Sequence, residues 1–372
     1  MSTVGYIISL CELPFHLWCL FIVWIIYIYL NAWASALSVS TVGQCEGLEG
    51  EMGKGQDSHA FFLCSLITNR KHQGNWDIAY YIKKKMSVLK YNFSGHESFP
   101  CKSLWLKKGY DFVVAGNQFS SAEAVMELGV GKNMVASIRY WLKAFGIIDS
   151  TGQTTMLGNY LLDDESGRDK YIEDLGTLWI LHFNIINNLE ATIYEWLFRG
   201  FQKERKIFSR DHVVSYIKRR FAEDGKQNQF NINTIKKDIG VLLQSYCLPS
   251  KPKSNEDYSI LLIDLDLIRQ SRETKEYYFN IEGKRNVISD IFLYAILSVK
   301  GNDNSIPFEY IQEKIGLPFC MNELETIHML QELSCKYANY LQYSDVAGIR
   351  QVQFIKPISI QQVLDNYYGT EI

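Results

Sequence analysis

The side chains best suited to chemistry fall in four short stretches of this chain. His96 and Glu97 stand together, with Cys101 four residues beyond Glu97. An imidazole beside a carboxylate suits a general base, and a nearby thiolate would suit zinc. Two or three ligand types in one short run fall short of a site, so a local turn stabilised by His96 and Glu97 is the simpler expectation. Glu173 and Asp174 precede His182 and could roughly share a helix face with it. Helix capping by the acids and a core position for His182 explain the same pattern. Glu273-Thr274-Lys275 has the Glu-x-Lys form of a nuclease core, with Asp264 and Asp266 on the strand-like run before it. No proline precedes either aspartate, and a solvated charged turn fits better. Gly129-Val130-Gly131-Lys132 suggests a phosphate loop, but that motif requires glycine at 126 and Ser or Thr at 133. The chain has Met126 and Asn133 there, so a turn between helices is expected. No Ser-Gly-Gly-x-Asp-Ser sulfur-transfer signature occurs. These residues point away from an enzyme, and no cofactor or metal is expected.

Composition sets the frame. The sequence has 372 residues, 47% hydrophobic and 14% aromatic, ample for packed cores. Its 38 basic and 41 acidic residues leave a net charge of −3. That balance excludes nucleic-acid binding driven by global charge and leaves room for local basic faces. The eight cysteines are scattered without a C-x-x-C pair, which argues against a disulfide framework or a four-cysteine zinc site.

Residues 1–85 differ in character from the rest. Leu13–Leu30 is almost continuously apolar, and no Asp, Glu, Lys or Arg occurs from Leu13 to Cys45. That length can span a bilayer, but the flanking basic residues of a membrane helix or secretory signal are missing. The expectation is a body starting near Met86 and acting in the cytoplasm, preceded by an upstream extension of the reading frame. A single-pass anchor over residues 13–38 is the alternative.

The body reads as mainly α with short β-hairpins, an α+β fold of tandem winged-helix-like units around a central helical core. Expected boundaries are 86–206, 207–284 and 285–372. In the first unit, Ser120 or Ser121 caps a helix through Leu128, Gly129–Gly131 makes a turn, and a second helix runs from Lys132 to Phe145. Thr151–Leu162, with Gly152 and Gly158, is expected as a hairpin wing. The second helix leaves Lys132, Asn133, Ser137, Arg139, Tyr140 and Lys143 off its apolar face, side chains able to meet phosphates and base edges. Asp169–Phe201 is dense enough in apolar residues to form the central core. In the second unit, Ser209 or Asp211 caps one helix and the next runs from Asn231 to Tyr246, presenting Lys236 and Lys237. Tyr258–Ile268 and Tyr277–Ile281 would form its wing, after a polar loop Pro249–Asp257. Helices in the third unit are expected at Val287–Val299, Pro307–Ile315 and Asn322–Tyr337, with a β-pair around Gly348. Glu323 and Glu325 make its last helix a poor phosphate-facing element.

The run Phe93-Ser-Gly-His-Glu-Ser-Phe-Pro-Cys-Lys-Ser-Leu-Trp-Leu-Lys-Lys108 resembles the opening of a bacterial family catalogued as domain of unknown function 4007. Its motif residues here are Phe93, Gly95, His96, Glu97, Phe99, Trp105, Lys107 and Gly109. Gly131–Val135 with Arg139–Leu142, Leu175–Trp179 with His182, and Ala347–Gln351 extend the resemblance over about residues 88–368. The resemblance implies a neighbourhood of sulfur-transfer enzymes of the phosphoadenosine-phosphosulfate reductase type, in DNA phosphorothioate modification and defence.

The leading expectation is a non-enzymatic DNA-binding or assembly protein of such a system. Its partners would be double-stranded DNA, a reductase-like sulfurtransferase and further copies of itself. A metal-dependent DNA-processing enzyme using His96 and Glu97, and a membrane-anchored transcriptional regulator, are the alternatives.

Overall fold

Apolar residues at helical spacing, packed through one close glycine contact, set the first helices. α1 (Trp105–Val114) buries Trp105, Leu106, Tyr110 and Phe112. It crosses α3 (Lys132–Ala144) at Gly109, where a Cβ would lie 2.6 Å from both Ile138 and Leu142. Between them α2 (Ala124–Leu128) is short, and neither Ser120 nor Ser121 caps it: its N-cap, Glu123, makes no side-chain bond. Gly129, with φ 57°, ends it in the left-handed turn expected before α3.

The expected wing at Thr151–Leu162 is absent. Asp149 gathers the backbone N–H groups of Thr151, Gly152 and Gln153 into a tight turn closed by the bridge Ile148–Thr154. Thr155 then accepts from the Gly158 N–H and caps α4 (Met156–Leu162). Gly158 is a packing glycine rather than a turn glycine, since a Cβ there would sit 2.4 Å from the Ile147 carbonyl oxygen.

The computed structural model describes residues 91–188, 190–248, 259–281, 283–284 and 287–369. The apolar run 13–38, the expected start at Met86 and the loop Pro249–Asp257 lie outside these residues. Among the described residues no helix is long and apolar enough to cross a membrane.

Asp174 caps α5 (Leu175–Asn187), and ten of its thirteen residues are buried, so it can only sit at the centre. α6 (Thr192–Glu195) runs on as a π-helical turn, Trp196–Phe201. There follow β1 (Ile207–Phe208), α7 (Arg210–Glu223), α8 (Ile232–Tyr246), β2 (Ile268–Gln270) and β3 (Tyr277–Phe279). Ser209 caps α7 and Asn231 caps α8, as their types predict. The antiparallel sheet has the order β1-β3-β2. The expected long strand before Ile268 is instead a 3-10 turn, Ile263–Leu265, followed by Asp266 at φ 48°. Leu261, Leu262, Leu265 and Leu267 are all buried, which the alternation of a half-exposed strand does not allow.

The same order then repeats. α9 (Ser289–Lys300), β4 (Ser305–Pro307), α10 (Phe308–Ile311), α11 (Glu323–Lys336), β5 (Leu341–Val346) and β6 (Ile349–Phe354) form a second sheet of order β4-β6-β5. α12 (Ile360–Tyr368) closes the chain with Tyr367 against Gly176 of α5. The described residues are mainly helical with two small antiparallel sheets, in the expected α+β class; the main hydrophobic core extends from Cys101 to Leu364, and a smaller cluster joins Phe112, Ala124, Leu128 and Val135.

His182 pins that core. Its Nε2 donates to the Pro318 carbonyl oxygen and its Nδ1 accepts from the Tyr246 hydroxyl, each at 2.7 Å. Burial disfavours the charged imidazole and pushes its pKa from 6.5 down to about 3. An unfolded chain binds the proton first, so His182 favours the folded state fully above pH 6.5 and loses that contribution as pH falls toward 3. Its expected share of the slope reaches about 1.4 kcal/mol per pH unit below about 6.5. Denaturant titrations from about pH 8 to about pH 4 should show His182→Asn less stable at the upper end but flatter with pH. Parallel curves would contradict this role.

Candidate nucleic-acid interface

The opening motif is a strained turn. Ser94, Glu97 and Ser98 all have positive φ, at 72°, 47° and 68°. Each such residue costs about 1–3 kcal/mol, so the surroundings must hold the turn in place. Several hydrogen bonds do so. The Ser94 N–H donates to the Asp238 carboxylate at 3.0 Å, and His96 Nε2 lies 3.1 Å from the same group. The Ser98 N–H donates to His96 Nδ1 at 3.1 Å, which places the ring proton on Nε2, facing Asp238. Ser137 Oγ donates to the His96 carbonyl oxygen, and Trp141 Nε1 to that of Phe99. His96 and Asp238 are both 2% exposed, so these bonds are shielded from water.

The motif thereby joins two helices. Asp238 belongs to α8, while Ser137 and Trp141 belong to α3. Gly95 lies flat on the Tyr140 ring, where a Cβ would come within 2.3 Å. Phe93 stacks on Phe221 of α7, and Phe99 meets Trp105 edge to face. Trp105 is itself buried. Lys107 is buried too, its ammonium group shared by Asp111 and Asp164, so it is not a cation offered to a ligand. Of the motif residues His96, Glu97 and Lys107, Glu97 is the exposed one.

The structure divides the residues expected to meet DNA. Lys132, Asn133 and Arg139 are exposed on α3, and Lys236 and Lys237 on α8; none of the four cations has an ion pair among the described residues. Ser137 and Tyr140 turn inward, because the motif needs a hydroxyl donor and a flat ring at that edge of α3. Lys143 is half-buried, with its amine donated to the Ser150 carbonyl oxygen at 2.9 Å. The equivalent start of α11 is acidic: Glu323 and Glu325 stand in its first turn, and Arg350 is paired with Glu309 and Glu323. Sequence reasoning misses Asp238. Its spacing from Ile235, Ile239 and Leu242 puts it on the apolar face of α8, the one available signal.

His96 has both ring nitrogens engaged, so it offers no lone pair to a metal or substrate. Among the described residues no three His, Cys, Asp or Glu side chains cluster to hold a metal ion. Glu273-Thr274-Lys275 is the exposed turn between β2 and β3. Asp174 and His182 are spent on capping and core bonds.

Cutting the junction exposes its cost. His96→Ala leaves the buried Asp238 short of one donor and should lower unfolding free energy by about 2–3 kcal/mol. Asp238→Asn keeps an acceptor oxygen and should cost less than Asp238→Ala. Denaturant titrations check both, and a His96→Ala protein within about 0.5 kcal/mol of wild type would contradict the assignment.

No curated protein matches the sequence. Among solved structures, the fold is similar to an SspB crystal structure, with a TM-score of 0.65 and 25% identity over 75% of this chain and 88% of that one. A magnesium ion-bound SspB crystal structure gives 0.66 and 24% over the same shares. The model for proteins of unknown function catalogued as DUF4007 matches residues 93–368. With most of its length matched, from the Phe93 motif through α12, the chain belongs to the DUF4007 family.

Proposed function

We propose that this protein binds duplex DNA without catalysing a reaction, as a recognition or assembly component of a bacterial DNA modification system of the phosphorothioate type. The observation that carries the reading is the outward placement of Lys132 and Arg139 on α3, and of Lys236 and Lys237 on α8. One buried motif ties those two helices together. The winged-helix reading is supported by the order helix, strand, helix, helix, strand, strand, with the first strand beside the last. That order occurs with α6 to β3 and again with α9 to β6. In a winged helix the second helix of the pair enters the major groove, and on this reading α8 is the helix that meets the DNA. α3 is the corresponding helix of a three-helix unit whose wing is reduced to the turn at Asp149. The acidic start of α11 suits a protein contact instead, and a sulfurtransferase or a second copy of the chain is the partner we assign to the third unit.

The similarity to a magnesium-bound SspB structure favours a second reading, a metal-dependent DNA-processing enzyme. Magnesium keeps several waters and can be held by one or two carboxylates. The residues first expected to carry such a site do not fit it, since His96 is saturated and no metal-holding cluster includes Glu97 among the described residues. Magnesium-dependent conversion of supercoiled plasmid to open-circular or linear form would favour this reading.

Fluorescence anisotropy on a short duplex tests the first reading. Lys132→Ala with Arg139→Ala, and separately Lys236→Ala with Lys237→Ala, should each weaken binding. Each pair should also reduce the salt slope by about 2, because each cation removed leaves one phosphate un-neutralised. Folded variants that bind like wild type would remove these helices from the interface.

A further inference from the structure

Beside α3 lies a groove that no expectation covered. It has a volume of about 310 Å³ and is walled by the loop after α1, by α3 and by the turn at Asp149. Asn117, Gln118 and Ser120 line one side, Thr151 and Gln153 the other, and Arg139 comes from α3.

Two features of the lining define its ligand. None of the lining residues is acidic, although acidic residues outnumber basic ones in the chain. Two carboxylates stand two residues from the lining, and both are engaged elsewhere: Asp111 pairs with Lys107, and Asp149 points its oxygen into its own turn, where it accepts from Thr151, Gly152 and Gln153. The side chains of Asn117, Gln118, Ser120, Arg139 and Gln153 have no hydrogen-bond partner among the described residues. A guanidinium, three amides and a hydroxyl, all able to donate, therefore line one space. Such a set complements a phosphodiester: the guanidinium pairs with its two non-bridging oxygens, and amides and hydroxyls donate to the remaining lone pairs of the same oxygens. Lys132 stands two helical turns before Arg139, about 10.5 Å along the same exposed side of α3. A strand followed by both residues would bring successive phosphates past the groove.

We infer that this groove holds one backbone phosphodiester of the duplex and so fixes the register of α3 on the DNA, with Asn117, Gln118 and Gln153 as its positioning residues beside Arg139. The inference rests on the DNA-binding reading. It predicts that the combined variant Asn117→Ala, Gln118→Ala and Gln153→Ala, which leaves every cation in place, loses about tenfold in duplex affinity. Arg139→Lys should fall between wild type and Arg139→Ala, because an ammonium keeps the charge but not the bidentate pairing. A duplex in which one methylphosphonate replaces the seated phosphodiester should bind wild type about tenfold more weakly and the triple variant without further loss.

The outcomes separate cleanly. Wild-type binding that is weakened by Lys236→Ala with Lys237→Ala but untouched by the triple variant overturns the groove and leaves the DNA reading standing. No duplex binding by the folded wild-type protein overturns both. Inorganic phosphate that alone shifts the amide resonances of residues 116–120 and 151–153 at micromolar concentration would reassign the groove to a free anion and overturn the backbone assignment.

Discussion

Everything on the proposed DNA-facing side depends on one buried polar junction, the contact of His96 with Asp238. The two residues lie 142 positions apart, and their bond joins a turn near the start of the described chain to a helix well past its middle. A buried carboxylate without donors is costly, so Asp238 stays folded inward only while Ser94 and His96 supply them. In return the motif accepts three left-handed backbone residues that it would not adopt alone. The strain and the buried polar groups offset one another only in the assembled state. That makes the spacing between α3 and α8 a fixed property of the fold rather than of a flexible linker.

The junction also explains why residues of binding type are used for packing. Ser137 and Tyr140 sit on α3 between its apolar and exposed sides, and the motif claims both. Lys107 and Trp105 look like a cationic and aromatic pair suited to a nucleic acid, yet one is neutralised by two aspartates and the other fills the core. Of the residues expected to meet DNA, the cations Lys132 and Arg139 on α3 and Lys236 and Lys237 on α8 remain exposed. The run from α9 to β6 repeats the element order of the run from α6 to β3, with Glu323 and Glu325 in the first turn of α11 where α8 carries Lys236 and Lys237, so scaffold and surface vary independently.

Much of this was legible in the sequence, for local reasons. Ser209, Asn231 and Asn322 announce helices by capping chemistry, and the apolar spacing inside α7, α8 and α11 confirms their length. The hairpin around Gly348 and the turn at Gly129 follow from the backbone freedom of glycine. The first unit misled because Gly152 and Gly158 read alike as turn residues. Gly152 is one, with φ 93°, whereas Gly158 lies inside a helix against the Ile147 carbonyl. The strand expected before Ile268 failed because the short apolar run Ile260–Ile263 fits a buried irregular segment equally well. No local pattern pairs His96 with Asp238; only the tertiary fold does.

Hydrogen exchange of the backbone amides, measured with and without duplex DNA, tests the joint use of the two helices most directly. Slowed exchange is expected at residues 131–139 and 231–237 together, with 322–326 unchanged. Protection of α3 or α8 alone, or of the acidic start of α11, would contradict a single interface framed by the buried junction.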